Sequence, residues 1–201
     1  MVVDDKFFEK LVNAFRKLPG VGRKSAERYA MHILSMGEEE VENFVDVIIS
    51  TRKHFKKCSQ CKNICVTDPC KICASNERDD KLLCVVEKPS GVSSIERAGV
   101  YKGKYYVLDG LLSPIDGIGP EELGISRLLE IVKIRCVDEV IVATGATTEG
   151  EATATYISQI LSQLGVKVTR IAHGVPIGAG LEMTDQFTLK EAFEGRKPIS
   201  N

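Results

Sequence analysis

Apolar residues in the first quarter of the chain recur at three- and four-residue spacing. Phe7, Phe8, Leu11, Val12, Phe15 and Leu18 fall on one face of a helix expected over residues 6–18. Pro19-Gly20-Val21-Gly22 breaks that helix, and Ala26, Tyr29, Ala30 and Ile33 carry a second helical pattern. A third, from about 38 to 55, places Val41, Phe44, Val45, Ile48 and Phe55 at helical spacing. From Lys81 the period changes. Runs rich in β-formers at 82–87, 105–108, 139–144 and 166–171 alternate with amphipathic helical patterns, notably at 125–134 and 151–164. Strands alternating with helices predict an α/β layer with a largely parallel sheet. The final stretch contains Gly178 and Gly180, then a short helix expected at 189–193. No internal repeat or low-complexity segment interrupts this order.

The 201 residues suffice for one substantial domain and smaller modules, and an apolar content of 43% supports a buried core. The expected segments are a helical hairpin region at 1–56, a cysteine-bearing finger at 57–74, an α/β domain at 80–174 and a tail at 175–201. No apolar run reaches the length of a membrane span. The opening MVVDDKFFEK lacks the basic flank and apolar stretch of a signal peptide, so a cytoplasmic protein is expected. Charge is nearly balanced, with 27 Lys and Arg against 28 Asp and Glu, a net of −1. A chain so neutral cannot hold nucleic acid with its whole surface. Any such contact must come from a local basic patch, multiplied if the protein self-associates.

Seven cysteines are present, and five of them fall between 58 and 73. In a reducing compartment this crowding argues for metal rather than disulfides. Cys58-x2-Cys61 and Cys70-x2-Cys73 form two knuckles, each aiming two thiolates at one point. Four soft ligands close a tetrahedral shell with no position left for water, which describes one structural zinc per chain. Few apolar residues lie nearby, so the metal supplies folding energy. The alternative is a redox dithiol or adventitious cysteines. Cys65 belongs to neither pair, and Cys84 and Cys136 are expected as small buried hydrophobes.

Residues 18–29, Leu-Pro-Gly-Val-Gly-Arg-Lys-Ser-Ala-Glu-Arg-Tyr, fit a helix–hairpin–helix signature. Gly20 and Gly22 allow a backbone phosphate to approach closely, and the following helix offers free N–H groups at its positive end. Arg23, Lys24 and Arg28 add full charge. Such contacts position DNA without reading its sequence. The plainer reading is a helix–turn–helix corner with solvated charges. The basic run at 52–57 is a further candidate, or a solvated helix end that favours cations.

Two later segments carry acidic residues where strands end: Leu82-Leu83-Cys84-Val85-Val86-Glu87, and Val140-Ile141-Val142-Ala143-Thr144 running into Gly145-Ala146-Thr147-Thr148-Glu149-Gly150-Glu151. The pattern resembles the Toprim domain, in which a strand-end glutamate and an Asp-x-Asp pair hold magnesium. Here Gly145 and Thr147 stand where that pair would be. Magnesium needs carboxylates at fixed geometry, so Glu87, Glu149 and Glu151 are read as a degenerate acidic site.

Taken in order, these features resemble the RecR family of bacterial recombination mediators. Besides the hairpin and the four cysteines, the resemblance rests on Tyr105-Tyr106-Val107-Leu108-Asp109-Gly110 with Leu112-Ser113-Pro114, on Glu149-Gly150-Glu151-Ala152-Thr153-Ala154, and on Gly174-Val175-Pro176-Ile177-Gly178. The family usually has His at the position of Tyr106 and Gly at that of Asp109. The resemblance implies a helix–hairpin–helix, a four-cysteine zinc finger, a Toprim-like α/β sheet domain and a short C-terminal helical tail involved in assembly. It further implies a ring-shaped homotetrameric clamp on DNA, acting with RecO and RecF in recombinational DNA repair to help load RecA. Lys24 and Arg28 would be its main DNA contacts, and no catalysis is expected.

Three rival readings differ in class. A Toprim-type magnesium-dependent nuclease or primase would use Glu87, Glu149 and Glu151, against the missing aspartate pair. An NTPase would use the glycines at 174–180, which lack the Gly-Lys-Ser/Thr of a phosphate-cradling loop. A zinc-stapled interaction module would leave the basic hairpin without a purpose.

Overall fold

The computed structural model describes residues 5–198, and the ends of the expected first and last segments, 1–4 and 199–201, lie outside them. The chain divides into two compact units, Met1–Phe55 and Lys56–Asn201.

The first unit is helical. α1, Lys6–Arg16, starts where the Asp5 carboxylate accepts from the amides of Phe7 and Phe8. α2, Arg23–Ser35, packs against it through Val12, Ala26 and Ala30, all fully buried, with Phe8, Leu11, Phe15 and Val21 around them. The two alanines bring the helix axes close enough for the aromatic side chains to close over the seam. Phe7 and Leu18, expected on the same apolar face, are instead 77% and 52% exposed. Phe7 lies about 90° from the centre of the buried stripe at 3.6 residues per turn, and Leu18 lies beyond the end of α1. α3, Glu38–His54, is built with its dipole, Glu38, Glu39 and Glu40 in the first turn and Arg52, Lys53 and His54 in the last. None of its residues is buried, so Phe44, Val45 and Ile48 of its apolar pattern, and Ile49 beside them, face outward.

The second unit opens with a two-stranded antiparallel hairpin, β1 (Lys56–Lys57) and β2 (Ile64–Cys65), and a single-turn helix, α4 (Lys71–Ala74). Then follow β3 (Asp79–Val86), α5 (Pro89–Ala98), β4 (Gly103–Val107), α6 (Ile125–Arg135), β5 (Glu139–Ala143), α7 (Thr148–Ser162) and β6 (Lys167–Arg170). A 3-10 turn, Leu181–Met183, precedes α8 (Gln186–Glu194). The expected mixed α/β fold with a parallel sheet is what forms: strand order is β4-β3-β5-β6, and every pairing is parallel.

Strand alternation divides the core into two layers. Leu83, Val85, Tyr106, Leu108, Val140 and Val142 face Leu128, Ile131, Ile157 and Leu161 of α6 and α7. Cys84, Val86, Tyr105 and Val107 face the opposite way, toward Val92 of α5. Strands buried on both faces read as continuous apolar runs, which is why they stood out in the sequence. α5 did not, because Ser93, Ser94 and Gly91 dilute its single apolar face. Cys84 is buried as expected. Cys136 is not: α6 ends on it in the left-handed conformation, φ +48°, and turns the thiol to solvent.

One glycine is fixed by packing. A Cβ on Gly150, in the first turn of α7, would stand 2.0 Å from the Gly145 carbonyl oxygen. No side chain fits there, so the strand-to-helix turn at 144–150 is held tight. The Thr144 hydroxyl donates to the Gly150 carbonyl at 3.0 Å across it.

Candidate nucleic-acid interface and metal centre

The hairpin turn between α1 and α2 is set by Gly20, whose φ of +75° is a left-handed conformation that glycine adopts without strain. Gly22 is a different case. Its φ is −78°, and a Cβ there would meet nothing within 4 Å. Nothing described inside the unit demands a glycine at 22. α2 begins on Gly22 with no side-chain cap and no carboxylate in its first turn. Its first intrahelical bond is donated by Ala26, to the Gly22 carbonyl. The amides of residues 23–25 are therefore left by helix geometry without an intrahelical acceptor.

The three basic residues here divide by partner. Arg23 donates to Glu27 at 2.8 Å and to Glu9 at 2.9 Å, tying α2 to α1, and these two carboxylates raise its already high pKa. Lys24 is exposed and makes no salt bridge among the described residues. Arg28 is exposed one turn further on, with its guanidinium 5.5 Å from the centre of the Tyr29 ring. Lys24 and Arg28 are four residues apart and share a helix face.

In the second unit, Cys58, Cys61, Cys70 and Cys73 converge until their sulfurs all lie within 4.8 Å of one another. Cys58, Cys61 and Cys70 are buried and Cys73 half-buried. The Cys61 and Cys70 sulfurs are 3.6 Å apart, close to the roughly 3.8 Å edge of a tetrahedron with metal–sulfur bonds of about 2.3 Å. Hydrogen bonding with Cys61 pulls the Cys73 thiol below its ordinary range and pushes Cys61 above its own. Four soft donors at this spacing, crowded away from water, can hold a metal ion. The backbone is shaped for it as well, since the Cys70 amide donates to the Cys58 sulfur at 3.3 Å and the Cys73 amide to the Cys70 sulfur at 3.4 Å. Cys65 packs into the same cluster without joining the four-sulfur set.

Two lysines bolt this module to the sheet, and the sequence patterns above pick out neither. Lys104 lies in β4, 2% exposed, and its ammonium donates to the carbonyls of Ile72, Cys73 and Ser75 at 3.0, 3.1 and 2.6 Å. Lys62, beside Cys61, reaches the other way, donating to the carbonyls of Leu108 and Leu123 at 3.0 and 3.1 Å, and burial lowers its pKa. The Val107 amide donates to the Cys61 carbonyl at 2.9 Å. The one available signal was a lysine inside the apolar run of β4. The two departures from the family pattern fall in this seam. The Tyr106 hydroxyl donates to the Gly124 carbonyl at 2.7 Å, and the Lys62 ammonium sits 5.8 Å from its ring centre. Asp109 holds φ +71°, the conformation that a glycine would take freely, and pairs with Lys57.

The acidic positions are dispersed. Glu87, just after β3, pairs with Lys88 at 2.8 Å. Glu149 is exposed in the first turn of α7. Glu151 pairs with Arg170 of β6, whose guanidinium holds the carboxyl below its usual range. Thr147 spends its hydroxyl accepting from the Gly150 amide at 3.1 Å, as the helix cap. Among the described residues the four cysteines form the one group of three or more Cys, His, Asp or Glu side chains able to close on an ion.

Comparison with known families agrees with this layout. Residues 8–51 match the family described as RecR, helix-hairpin-helix. Residues 81–172 match the Toprim domain, and residues 174–197 match RecR, C-terminal.

Replacing the buried ammonium of β4 tests the seam. Lys104→Met is expected to leave three carbonyls without their donor and to cost about 1–3 kcal/mol for that loss, read as a lower urea midpoint. Amide exchange should rise in α4 and β4 together, and a rise confined to β4 would separate the module from the sheet.

Proposed function

The chain belongs to the RecR family of recombination-repair mediators, and from that premise we propose that it grips the DNA backbone through the α1–α2 hairpin and performs no chemistry on it. The observation that carries this reading is the exposed pair Lys24 and Arg28 beside the uncapped, carboxylate-free start of α2. Backbone N–H groups and the helix dipole favour a phosphate there, and the two side chains add charge. Arg23 has a more internal role on this account, holding the hairpin closed through Glu9 and Glu27, while Gly20 shapes the turn and Gly22 leaves room for the phosphate.

The cysteine cluster is read as a structural zinc site, with Cys58, Cys61, Cys70 and Cys73 as its four ligands. Zinc would bring folding energy and no open coordination position. For the Toprim domain the proposal is a fold without its chemistry. Supporting this, Gly145 and Thr147 replace the paired aspartates, Thr147 is occupied as a cap, and Glu87 and Glu151 are neutralised by Lys88 and Arg170. A magnesium-dependent nuclease or primase would need those carboxylates free and close together.

Self-association into a ring-shaped homotetramer, with the C-terminal tail contributing to assembly and RecO and RecF as partners in loading RecA, completes the proposal. The outward apolar side chains of α3 support the self-association, since Phe44, Val45, Ile48 and Ile49 are each between 44% and 53% exposed in the single chain. Four weak basic patches working together suit a chain of net charge −1. Among the described residues no helix is long and apolar enough to cross a membrane, and a cytoplasmic location is proposed with the repair role.

Lys24→Ala and Arg28→Ala should each weaken duplex binding equally for unrelated sequences and lower the salt slope by about one unit for each phosphate no longer neutralised. Unchanged affinity and slope in both variants would reduce the hairpin to a structural corner.

Cys58→Ser should abolish stoichiometric zinc binding and cost on the order of 3 kcal/mol, about a quarter of a structural site's apparent binding energy. Zinc content by atomic absorption and thermal unfolding read the two effects.

With magnesium or manganese, the purified protein should neither nick, relax nor prime DNA. Metal-dependent cleavage lost in Glu149→Gln would overturn the non-catalytic reading.

A further inference from the structure

The two arginines of the hairpin are held by partners of different kinds. Arg23 spends its N–H groups on Glu27 and Glu9. Arg28 makes no salt bridge among the described residues, and its guanidinium rests over the ring of Tyr29, 5.5 Å from the centre. That ring is braced in turn from α1. Phe15 meets it edge to face, with ring centres 5.8 Å apart and planes at 67°. Tyr29 is 39% exposed and stands at the border of the seam. At 3.6 residues per turn it lies about 80° from the midpoint of the buried Ala26 and Ala30, while Arg28 lies about 180° from it. A chain of contacts therefore runs from the buried seam to the outward face, through Phe15, Tyr29 and Arg28.

The kind of partner decides what an arginine can still bind. A carboxylate occupies the edge of the guanidinium and cancels its charge, as Glu27 and Glu9 do for Arg23. An aromatic ring takes the flat face and leaves the edge, where the N–H donors lie, open to an oxyanion. The ring also removes freedom. A long side chain loses rotamer entropy when it grips a phosphate, and one already seated loses less. Lys24 needs no such seat, because an ammonium is a compact charge whose donors rotate.

We propose that Tyr29 is a positioning residue for DNA binding: braced by Phe15, its ring seats the Arg28 guanidinium with the N–H edge free for a backbone phosphate. Arg28 then meets the phosphate in a conformation that it already holds in the free protein.

This proposal rests on the hairpin as the DNA contact, and its test separates the two. Affinity for one duplex is measured by fluorescence anisotropy across a range of salt. The proteins are wild type, Lys24→Ala, Arg28→Ala, Tyr29→Phe, Tyr29→Leu and the double variant Arg28→Ala with Tyr29→Leu. Tyr29→Leu keeps apolar bulk against Phe15 but has no ring, and should bind about two- to fivefold more weakly, the range of an exposed cation–π contact. Its salt slope should match wild type, because Arg28 still reaches the phosphate, whereas Arg28→Ala lowers the slope. Tyr29→Phe keeps the ring and should bind as wild type does. In the Arg28→Ala background, Tyr29→Leu should have no further effect. Wild-type affinity in Tyr29→Leu, a loss that persists without Arg28, or a loss shared by Tyr29→Phe would overturn the proposal and leave the hairpin contact standing. Wild-type affinity and slope in Arg28→Ala would overturn it as well, and the same result in Lys24→Ala would take the hairpin reading with it. One further measurement needs no variant. In the NMR spectrum of the free wild-type protein, the side-chain protons of Arg28 should show the upfield shift of groups lying over an aromatic face. Arg28 signals at the positions of a solvated arginine would overturn the proposal.

Discussion

Lys104 stands in a strand whose five residues are all buried, and its ammonium is met there by the carbonyls of Ile72, Cys73 and Ser75 and, at 3.7 Å, by the Asp80 carboxylate. A buried cation without such acceptors would cost several kcal/mol. The dependence is mutual. β4 is an edge strand, and an edge with open N–H and C=O groups invites unwanted pairing. The cysteine module covers it, and the module in turn takes its orientation from Lys104 and from Lys62 reaching back to Leu108 and Leu123. With few apolar residues of its own, the module depends on this seam and on its converging sulfurs. The lysine seam and the converging sulfurs together fix the module against the sheet edge.

A different constraint governs the carboxyl ends of the strands, where α/β sheets usually carry their chemistry. The turn from β5 into α7 is closed by the Gly145 carbonyl against Gly150, by the Thr147 cap and by Thr144 bonded to Gly150. Glu151 is drawn to Arg170. Glu87 pairs with Lys88, and Glu149 stands exposed beside the turn. The proposed place for DNA is the basic face of the first unit. Balanced overall charge then has a role too, because a locally basic hairpin on a neutral chain discourages indiscriminate binding by the rest of the surface.

Much of the fold is legible in the sequence. Strands buried on both faces advertise themselves as apolar runs, and the parallel sheet follows from their alternation with helices. The paired CxxC spacing anticipates a convergence that the structure bears out in geometry. Other features are hidden for physical reasons. α5 is short and rich in serine. Phe7 and Leu18 lie at the border and beyond the end of a stripe whose centre is filled by Val12 against Ala26 and Ala30. Cys136 reads as a core residue because its neighbours are apolar, yet the left-handed end of α6 turns it outward. The lysine clamps depend on carbonyl oxygens brought together only by tertiary folding, so no spacing in the chain reveals them. Asp109 shows the reverse case: a departure from the family's usual glycine becomes intelligible once its φ of +71° and its bond to Lys57 are known.

Above all, DNA is proposed to be held by its backbone, through charge, without reading of sequence. The most direct measurement is the affinity of the wild-type protein for two duplexes of equal length and unrelated sequence, across a range of salt. Backbone recognition predicts two parallel lines of log K against log salt, with steep negative slopes that count the phosphates neutralised. Binding that ignores salt, or affinities for the two duplexes that differ by about a thousandfold or more as in sequence-specific recognition, would contradict it.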